Sequence, residues 1–170
     1  MDVKRAFFNG VLEEEIYMEC PEEIVQEVQE VQACRLVKAI YGLRQSPCAW
    51  YQKIQPFFIE HKFVPSAQDF SLYINYGRRL LVLVYVDDLV LAAAELKENL
   101  WIKTALAKAF EMTDLGELKT FLGLEISRER NQRLLTLHQT KYINKILQRH
   151  RMEDTRPIYT LLDPGTRLPS

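Results

Sequence analysis

Two apolar runs flank an adjacent pair of carboxylates. Leu80-Leu81-Val82-Leu83-Val84-Tyr85-Val86 leads into Asp87-Asp88, and Leu89-Val90-Leu91 leaves them. Short runs rich in Val and Leu read as buried strands. The pattern predicts strands over Leu80–Val86 and Leu89–Ala93, with the Asp pair at the turn between them. Ser71–Tyr76 alternates as a further strand, and Gly77-Arg78-Arg79 turns it into the first run, which makes a meander. Upstream, Ile16-Tyr17-Met18 predicts a short strand that ends before Pro21. Glu22–Gln32 is acidic and reads as a loop or weak helix, with Ile24, Val25, Val28 and Val31 loosely at helical spacing. Leu36, Val37, Ile40 and Tyr41, followed by Gly42, suggest another helix over Cys34–Leu43.

The helical periods are clearer elsewhere. Ser46 as N-cap and Pro47 at the first position open a helix with Trp50, Ile54, Phe57 and Phe58 as its apolar stripe. Pro56 is expected to kink or end it, at about 3 kcal/mol in a regular helix. Glu95–Phe110 is amphipathic, with Ile102, Ala105, Leu106, Ala109 and Phe110 on one side and lysines on the other. Thr113-Asp114-Leu115-Gly116 closes it. Phe121–Ile126 and Leu134–Leu137 predict an antiparallel hairpin. Thr140 is expected to cap a short helix whose apolar face is Tyr142, Ile143, Ile146 and Leu147. The segment from Pro157 on, with Pro164-Gly165 and Pro169, reads as a coil tail. Hairpins and separate helices in this mixed order argue for an α+β fold, helices packed on an antiparallel sheet.

Charge changes the picture only through its distribution. The 170 residues carry a net charge of −1, which by itself points to no polyanion. Met1–Ala33 holds nine acidic residues against two basic, whereas Arg128–Arg156 holds eight basic against three acidic. The basic end reads either as an electrostatic footprint for a phosphate backbone or as a solvated face. Cys20, Cys34 and Cys48 form no CxxC pair and are expected to be reduced thiols. His61, His138 and His150 are scattered, which argues against a histidine metal site. No apolar run is long and uncharged enough to span a bilayer and no signal peptide opens the chain, so an intracellular protein without a membrane partner is expected.

The Asp pair has two readings on its own. Asp is a common turn residue, so the pair suits a solvated hairpin turn. Neighbouring carboxylates between apolar strands also repel and lose solvation, which a divalent cation relieves; a metal site then needs another carboxylate from elsewhere in the chain.

Tyr85-Val86-Asp87-Asp88 resembles the YVDD box of reverse transcriptases, and three further blocks follow the order those enzymes use. Asp2-Val3-Lys4-Arg5-Ala6-Phe7-Phe8-Asn9-Gly10 resembles the first catalytic block. Tyr41-Gly42-Leu43-Arg44-Gln45-Ser46-Pro47 with Ala49-Trp50-Tyr51 resembles the block along template and incoming nucleotide. Phe121-Leu122-Gly123-Leu124-Glu125-Ile126 resembles the primer-grip hairpin. The wording is that of the copia type of LTR retrotransposon, from residue 2 to about residue 165. A carboxylate-dependent nucleotide hydrolase or cyclase would share the Asp pair but would not need the Ser46-Pro47 or Phe121-Leu122-Gly123 blocks.

The resemblance implies an RNA-directed DNA polymerase and supplies the missing carboxylate, Asp2. It makes Asp2, Asp87 and Asp88 the catalytic ligands of two Mg²⁺ ions, or Mn²⁺ in their place, with Asp88 the weaker ligand. Such ions lie about 3.5–4 Å apart and serve in-line attack of a primer 3′-OH on a dNTP. It further implies that Phe7 excludes the ribose 2′-OH and that Arg44 and Gln45 meet nucleotide. Gly42 and Tyr85 would line the primer–template path, and Phe121, Leu122 and Gly123 would position the primer end. Lys141, Lys145, Arg149 and Arg151 would contact phosphates, with binding that weakens in salt. Template RNA, DNA primer and dNTP are the implied partners, with integrase and RNase H as polyprotein neighbours and a cytoplasmic virus-like particle as the setting.

Against the family's full pattern, the matched blocks amount to an incomplete right-hand polymerase. Residues 1–127 correspond to a partial palm, 128–156 to the start of a thumb and 157–170 to a tail, without fingers or RNase H. The strand that leads into Asp2 is expected to be missing, leaving the YVDD hairpin with an unpaired edge. With Met1 as terminus, its ammonium is expected to compete with Mg²⁺ for Asp2. The alternative function is a non-catalytic retroelement remnant, at most a nucleic-acid-binding module.

Overall fold

The computed structural model describes residues 1–21 and 33–156. The expectations for Glu22–Gln32 and for the tail from Pro157 therefore lie outside the described residues. The chain forms two compact units, Met1–Gly116 and Glu117–Ser170. The palm–thumb boundary read at residue 127 falls inside a strand of the second unit, Leu124–Glu129.

The first unit is built on a six-stranded antiparallel sheet. Its strands are β1 (Asp2–Val3), β4 (Val64–Pro65), β5 (Leu72–Asn75), β6 (Leu80–Tyr85), β7 (Asp88–Ala93) and β8 (Met112–Thr113), in the order β4-β5-β6-β7-β1-β8. The predicted meander is present as β5, β6 and β7. In β6, Leu80 and Val82 are buried while Leu81 and Tyr85 are exposed, so the period of two gives the sheet one inner and one outer face. The register Leu80↔Ala93, Val82↔Leu91 and Val84↔Leu89 places the apolar side of β7 on the same inner face. Fully burying a Val or Leu contributes about 1.5–3 kcal/mol, which makes a one-residue slip of this register costly.

Two helices supply the rest of the core. Helix α1 (Ser46–Glu60) buries Ala49, Trp50, Ile54, Phe57 and Phe58, and helix α2 (Leu96–Ala109) buries Ile102 and Leu106. Phe58 stacks on Tyr73 of β5 at 4.4 Å, and Trp50 meets Phe110, just past α2, edge-on at 5.4 Å. Pro56 does not end α1, which runs on to Glu60. Pro56 lies on the exposed side, where water can satisfy the carbonyl it frees, while the buried stripe holds the helix. Ser46 is not the N-cap either. It is the first helical residue, and its buried hydroxyl donates to the Ile40 carbonyl, tying down the approach to the helix.

A separate two-stranded sheet pairs β2 (Val11–Glu19) with β3 (Ala33–Lys38). The helix expected over Cys34–Leu43 is thus a strand through Lys38. Cys34 and Leu36 lie opposite Met18 and Ile16, so pairing with a partner distant in sequence overrides the helical spacing. All three cysteines are free thiols. A 3₁₀ turn, Ala6–Asn9, links β1 to β2.

The second unit contains β9 (Thr120–Phe121), β10 (Leu124–Glu129), β11 (Leu134–His138) and helix α3 (Thr140–Arg149), with the strands in the order β11-β10-β9. Phe121–Ile126 is not one continuous strand. Phe121 pairs with Leu124 across a tight turn at Leu122-Gly123, where φ is 48° and 79°. Two positive φ values in succession suit a type I′ hairpin, which reverses the chain at once. Thr140 does not cap α3 with its side chain. The first-turn amide of Lys141 donates instead to the Glu125 carboxylate at 2.8 Å, which lowers the pKa of Glu125. None of the unit's described residues is buried: Tyr142 and Ile143 of α3 are 56% and 54% exposed. Among the described residues, no helix is long and apolar enough to cross a membrane.

Candidate active site

The turn between β6 and β7 has two residues. Tyr85 pairs with Asp88, leaving Val86 and Asp87 as its two central residues. Val86 has φ 53°. A positive φ at the first central position is the pattern of a type II′ turn, which favours glycine there. A β-branched residue in that region costs on the order of 1–3 kcal/mol. The surroundings hold it in place: the Trp50 indole N–H donates to the Val86 carbonyl at 2.8 Å, and the Val86 side chain packs against the core.

Asp2 arrives from the other side. It lies directly opposite Asp88 in the β1–β7 ladder. The bonds Leu89 N–H to Met1 carbonyl and Val3 N–H to Asp87 carbonyl, both 2.8 Å, bracket the pair. Asp2 and Asp88 are thus a non-hydrogen-bonded pair, the kind whose side chains approach closest across two strands. Val3 and Leu89, their neighbours in sequence, are buried in the core, so alternation puts both carboxylates on the outer face of the sheet, away from the core. Tyr85, at 52% exposure, shares that face.

The expected unpaired edge beside this turn is corrected in part. β1 pairs with β7 across Asp88 and with β8 on its other side, so the turn end of the hairpin is covered. The Met1 ammonium does not pair with Asp2. It donates to the Leu89 carbonyl at 2.8 Å, and burial lowers its pKa.

Asp87 takes a different direction. Its Oδ2 accepts a hydrogen bond of 2.7 Å from the Tyr41 hydroxyl. The Tyr41 ring lies against Phe7 at 4.6 Å and near Phe8 at 6.2 Å. Burial, and then the Asp87 carboxylate, push the Tyr41 phenol up to about 12, so it remains a donor at neutral pH. Among the described residues, Asp2 and Asp88 form no side-chain hydrogen bond or ion pair, and no group of three His, Cys, Asp or Glu side chains is gathered as a ready-made ion cage. The arrangement is a facing pair of carboxylates with a third turned aside at the adjoining turn. This oxygen donor set fits Mg²⁺, which is usually held by one or two carboxylates plus waters and substrate phosphates.

The other sequence-identified positions divide between the two units. Phe7 is buried in the 3₁₀ turn, beside Tyr41. Gly42, with φ 96° and nothing near its missing Cβ, leaves backbone open to approach. Arg44 is exposed, and Gln45 donates weakly to Glu14 at 3.4 Å. Phe121, Leu122 and Gly123 form the tight turn of the second unit. On α3, Lys141, Lys145 and Arg149 are exposed at intervals of four, and Lys141 lies 3.5 Å from Glu125. Arg151 is exposed just past the helix. Two contributors carry no assigned role in the sequence reading: the hydroxyl of Tyr41, part of an apolar pattern and of a block, and the N–H of Trp50. An aromatic with a polar tip in a stripe carried the only available signal.

Comparison with known proteins gives a consistent result. Residues 1–164 match the family described as reverse transcriptase (RNA-dependent DNA polymerase). The chain is 38% identical over 95% of its length to the retrovirus-related Pol polyprotein from transposon TNT 1-94 of Nicotiana tabacum. It is 36% identical over 99% of its length to that from transposon RE2 of Arabidopsis thaliana. It covers 12% of the length of each of these relatives. A putative transposon Ty5-1 protein of Saccharomyces cerevisiae is 34% identical over 85% of the chain, which covers 47% of that protein. No solved structure matches the chain.

Proposed function

Because the chain belongs to the reverse transcriptase family of copia-type retrotransposon Pol polyproteins, we propose that it carries part of the catalytic palm of an RNA-directed DNA polymerase. The observation that supports this most directly is the cross-strand pair Asp2↔Asp88, with Asp87 at the adjoining turn. Asp2 and Asp88 face one another from segments far apart in sequence, and among the described residues neither forms a side-chain ion pair. In this reading the fold is an incomplete right hand, with residues 1–127 as palm and 128–156 as the start of the thumb.

Asp2, Asp87 and Asp88 would hold Mg²⁺. The ions, when bound, would supply activation of the primer hydroxyl and neutralisation of the leaving phosphates. The protein's own part is positional. The β1–β7 ladder holds Asp2 and Asp88 side by side, and Trp50 holds the turn that carries Asp87. Phe7 sets a bulky ring where a sugar would rest and would exclude a 2′-OH by sterics. Gly42, Arg44 and Gln45 would meet nucleotide or template, and Tyr85 the primer strand. In the second unit, the Phe121-Leu122-Gly123 turn would position the primer end. Lys145 and Arg149 would contact phosphates more freely than Lys141, which already has Glu125 beside it. RNA template, DNA primer and dNTP are the proposed partners, and integrase and RNase H the proposed neighbours in a cytoplasmic particle.

The second reading, a non-catalytic remnant that at most binds nucleic acid, draws support from the engagement of Asp87 by Tyr41 and the lack of a gathered three-carboxylate cage among the described residues. Mg²⁺-dependent primer extension on an RNA template, with Asp87→Asn in parallel and circular dichroism on both, separates the two. Extension that disappears in Asp87→Asn is the expected result. No extension from a folded wild-type chain sinks the polymerase reading for this polypeptide.

A further inference from the structure

We propose that Tyr41 is a positioning residue for the Asp87 carboxylate: its hydroxyl, held in place by the ring's contact with Phe7, fixes one oxygen of Asp87 and leaves the other free for a divalent cation. This rests on the assignment of Asp87 to a metal site. The hydrogen bond is short, at 2.7 Å, and engages Oδ2. Oδ1 has no hydrogen-bond partner among the described residues. One oxygen fixed and one available is the arrangement by which an outer partner orients a carboxylate ligand.

Tyr41 is itself restrained on several sides. Phe7 lies 4.6 Å from its ring and Phe8 6.2 Å. The chain on either side is anchored: the Ile40 carbonyl accepts from the Ser46 hydroxyl, and Gly42 takes φ 96° to turn the backbone away after Tyr41. The Asp87 end is restrained as well, because the carbonyl of Val86 is held by Trp50. The hydrogen bond thus joins two pieces of chain that are both fixed to α1. Tyr41 also brings the wall of the sugar site and the metal ligand into one unit, since the ring that contacts Phe7 carries the hydroxyl that holds Asp87.

The test uses Mn²⁺ alone as probe. Free Mn²⁺ is counted by electron paramagnetic resonance during titration of wild type, Tyr41→Phe and Asp87→Asn, each checked by near-ultraviolet circular dichroism. The phenylalanine variant keeps the ring and removes only the hydroxyl. The expected result is strong loss of binding in Asp87→Asn and a loss of about tenfold in Tyr41→Phe, the lower end of what removing an outer partner does to metal affinity. If Asp87→Asn binds like wild type, the metal assignment falls and this inference with it. If Asp87→Asn loses binding while folded Tyr41→Phe keeps wild-type affinity, only the role of Tyr41 is overturned. A second measurement needs no substitution at the hydroxyl. With 3-fluorotyrosine placed at position 41, saturation with Mg²⁺ is expected to move the fluorine resonance in the parent chain and not in Asp87→Asn; a resonance that stays in place in the parent overturns the proposal.

Discussion

The indole N–H of Trp50 donates to the backbone carbonyl of Val86 across 2.8 Å, and this bond joins the core helix α1 to the turn that carries Asp87. Trp50 is 3% exposed, so the donor side of the bond is buried. It also braces a β-branched residue at φ 53°. Trp50→Phe preserves an aromatic in the core but leaves the Val86 carbonyl without its partner. A destabilisation of about 1–3 kcal/mol is expected, from the unsatisfied acceptor and the lost packing together. Thermal or urea unfolding measures it, and a loss below about 0.5 kcal/mol would show that the carbonyl finds water instead.

Gly10 determines how closely the start of β2 approaches α1. A Cβ there would lie 2.9 Å from both the carbonyl carbon and the Cβ of Ala49, and 3.0 Å from the Trp50 nitrogen. Two of those atoms are helix backbone and cannot swing away. Gly10→Ala is therefore expected to cost about 1–3 kcal/mol and to displace Trp50 from the turn. Gly77→Ala is the control, since its Cβ would meet only Asn75 Oδ1, at 3.6 Å. Equal melting temperatures for the two variants would contradict the close approach.

Asp88 and Asp2 face one another as like charges on adjacent strands. Like charges directly opposite destabilise a sheet, so in metal-free buffer Asp88→Asn is expected to raise stability by roughly 0.2–1 kcal/mol. Adding Mg²⁺ should stabilise the wild-type chain more than the variant, because a cation bound only by the folded state shifts unfolding by mass action. Wild type and variant that melt together, with and without Mg²⁺, would mean that the two carboxylates remain fully solvated.

Lys103 contacts both carboxylate oxygens of Asp114, at 2.9 and 3.0 Å. The lysine and the Gly116 amide hold the Asp114 carboxyl below its ordinary value of 3.8. A carboxylate whose pKa is depressed on folding contributes stability above the unfolded value and loses it as pH falls through the folded one. Asp114 is half exposed, so Lys103→Met should cost no more than about 1 kcal/mol at pH 7. That difference should shrink as the pH is lowered below 3.8, and melting curves across the acid range check it. A difference that persists unchanged in acid would assign the effect to packing of the lysine stem.

The meander, the two core helices and the carboxylate turn were legible because each rests on a local period. Leu80 and Val82 alternate with Leu81, and Trp50, Ile54, Phe57 and Phe58 recur at helical spacing. The structure departs from these periods where strand pairing, a local turn or burial outweighs them. Cys34–Lys38 has helical spacing yet pairs as a strand, because β2 offers it a ladder. Phe121–Ile126 looked like one strand, but its Leu122-Gly123 step folds back. Pro56 was expected to interrupt a helix that the buried stripe in fact carries past it.

By itself, the sequence determined which residue types are present and in what order: carboxylates at Asp2, Asp87 and Asp88, a bulky ring at Phe7, and blocks in the order of a reverse transcriptase. Residue type and order are properties of the chain and need no fold to be read. Only the tertiary structure decided which carboxylates face one another. Asp2 meets Asp88 through a short ladder between strands far apart in sequence, while Asp87 turns to a tyrosine from another segment. Those pairings follow from register and packing between elements remote in sequence, and no local pattern encodes which side of a turn a side chain takes.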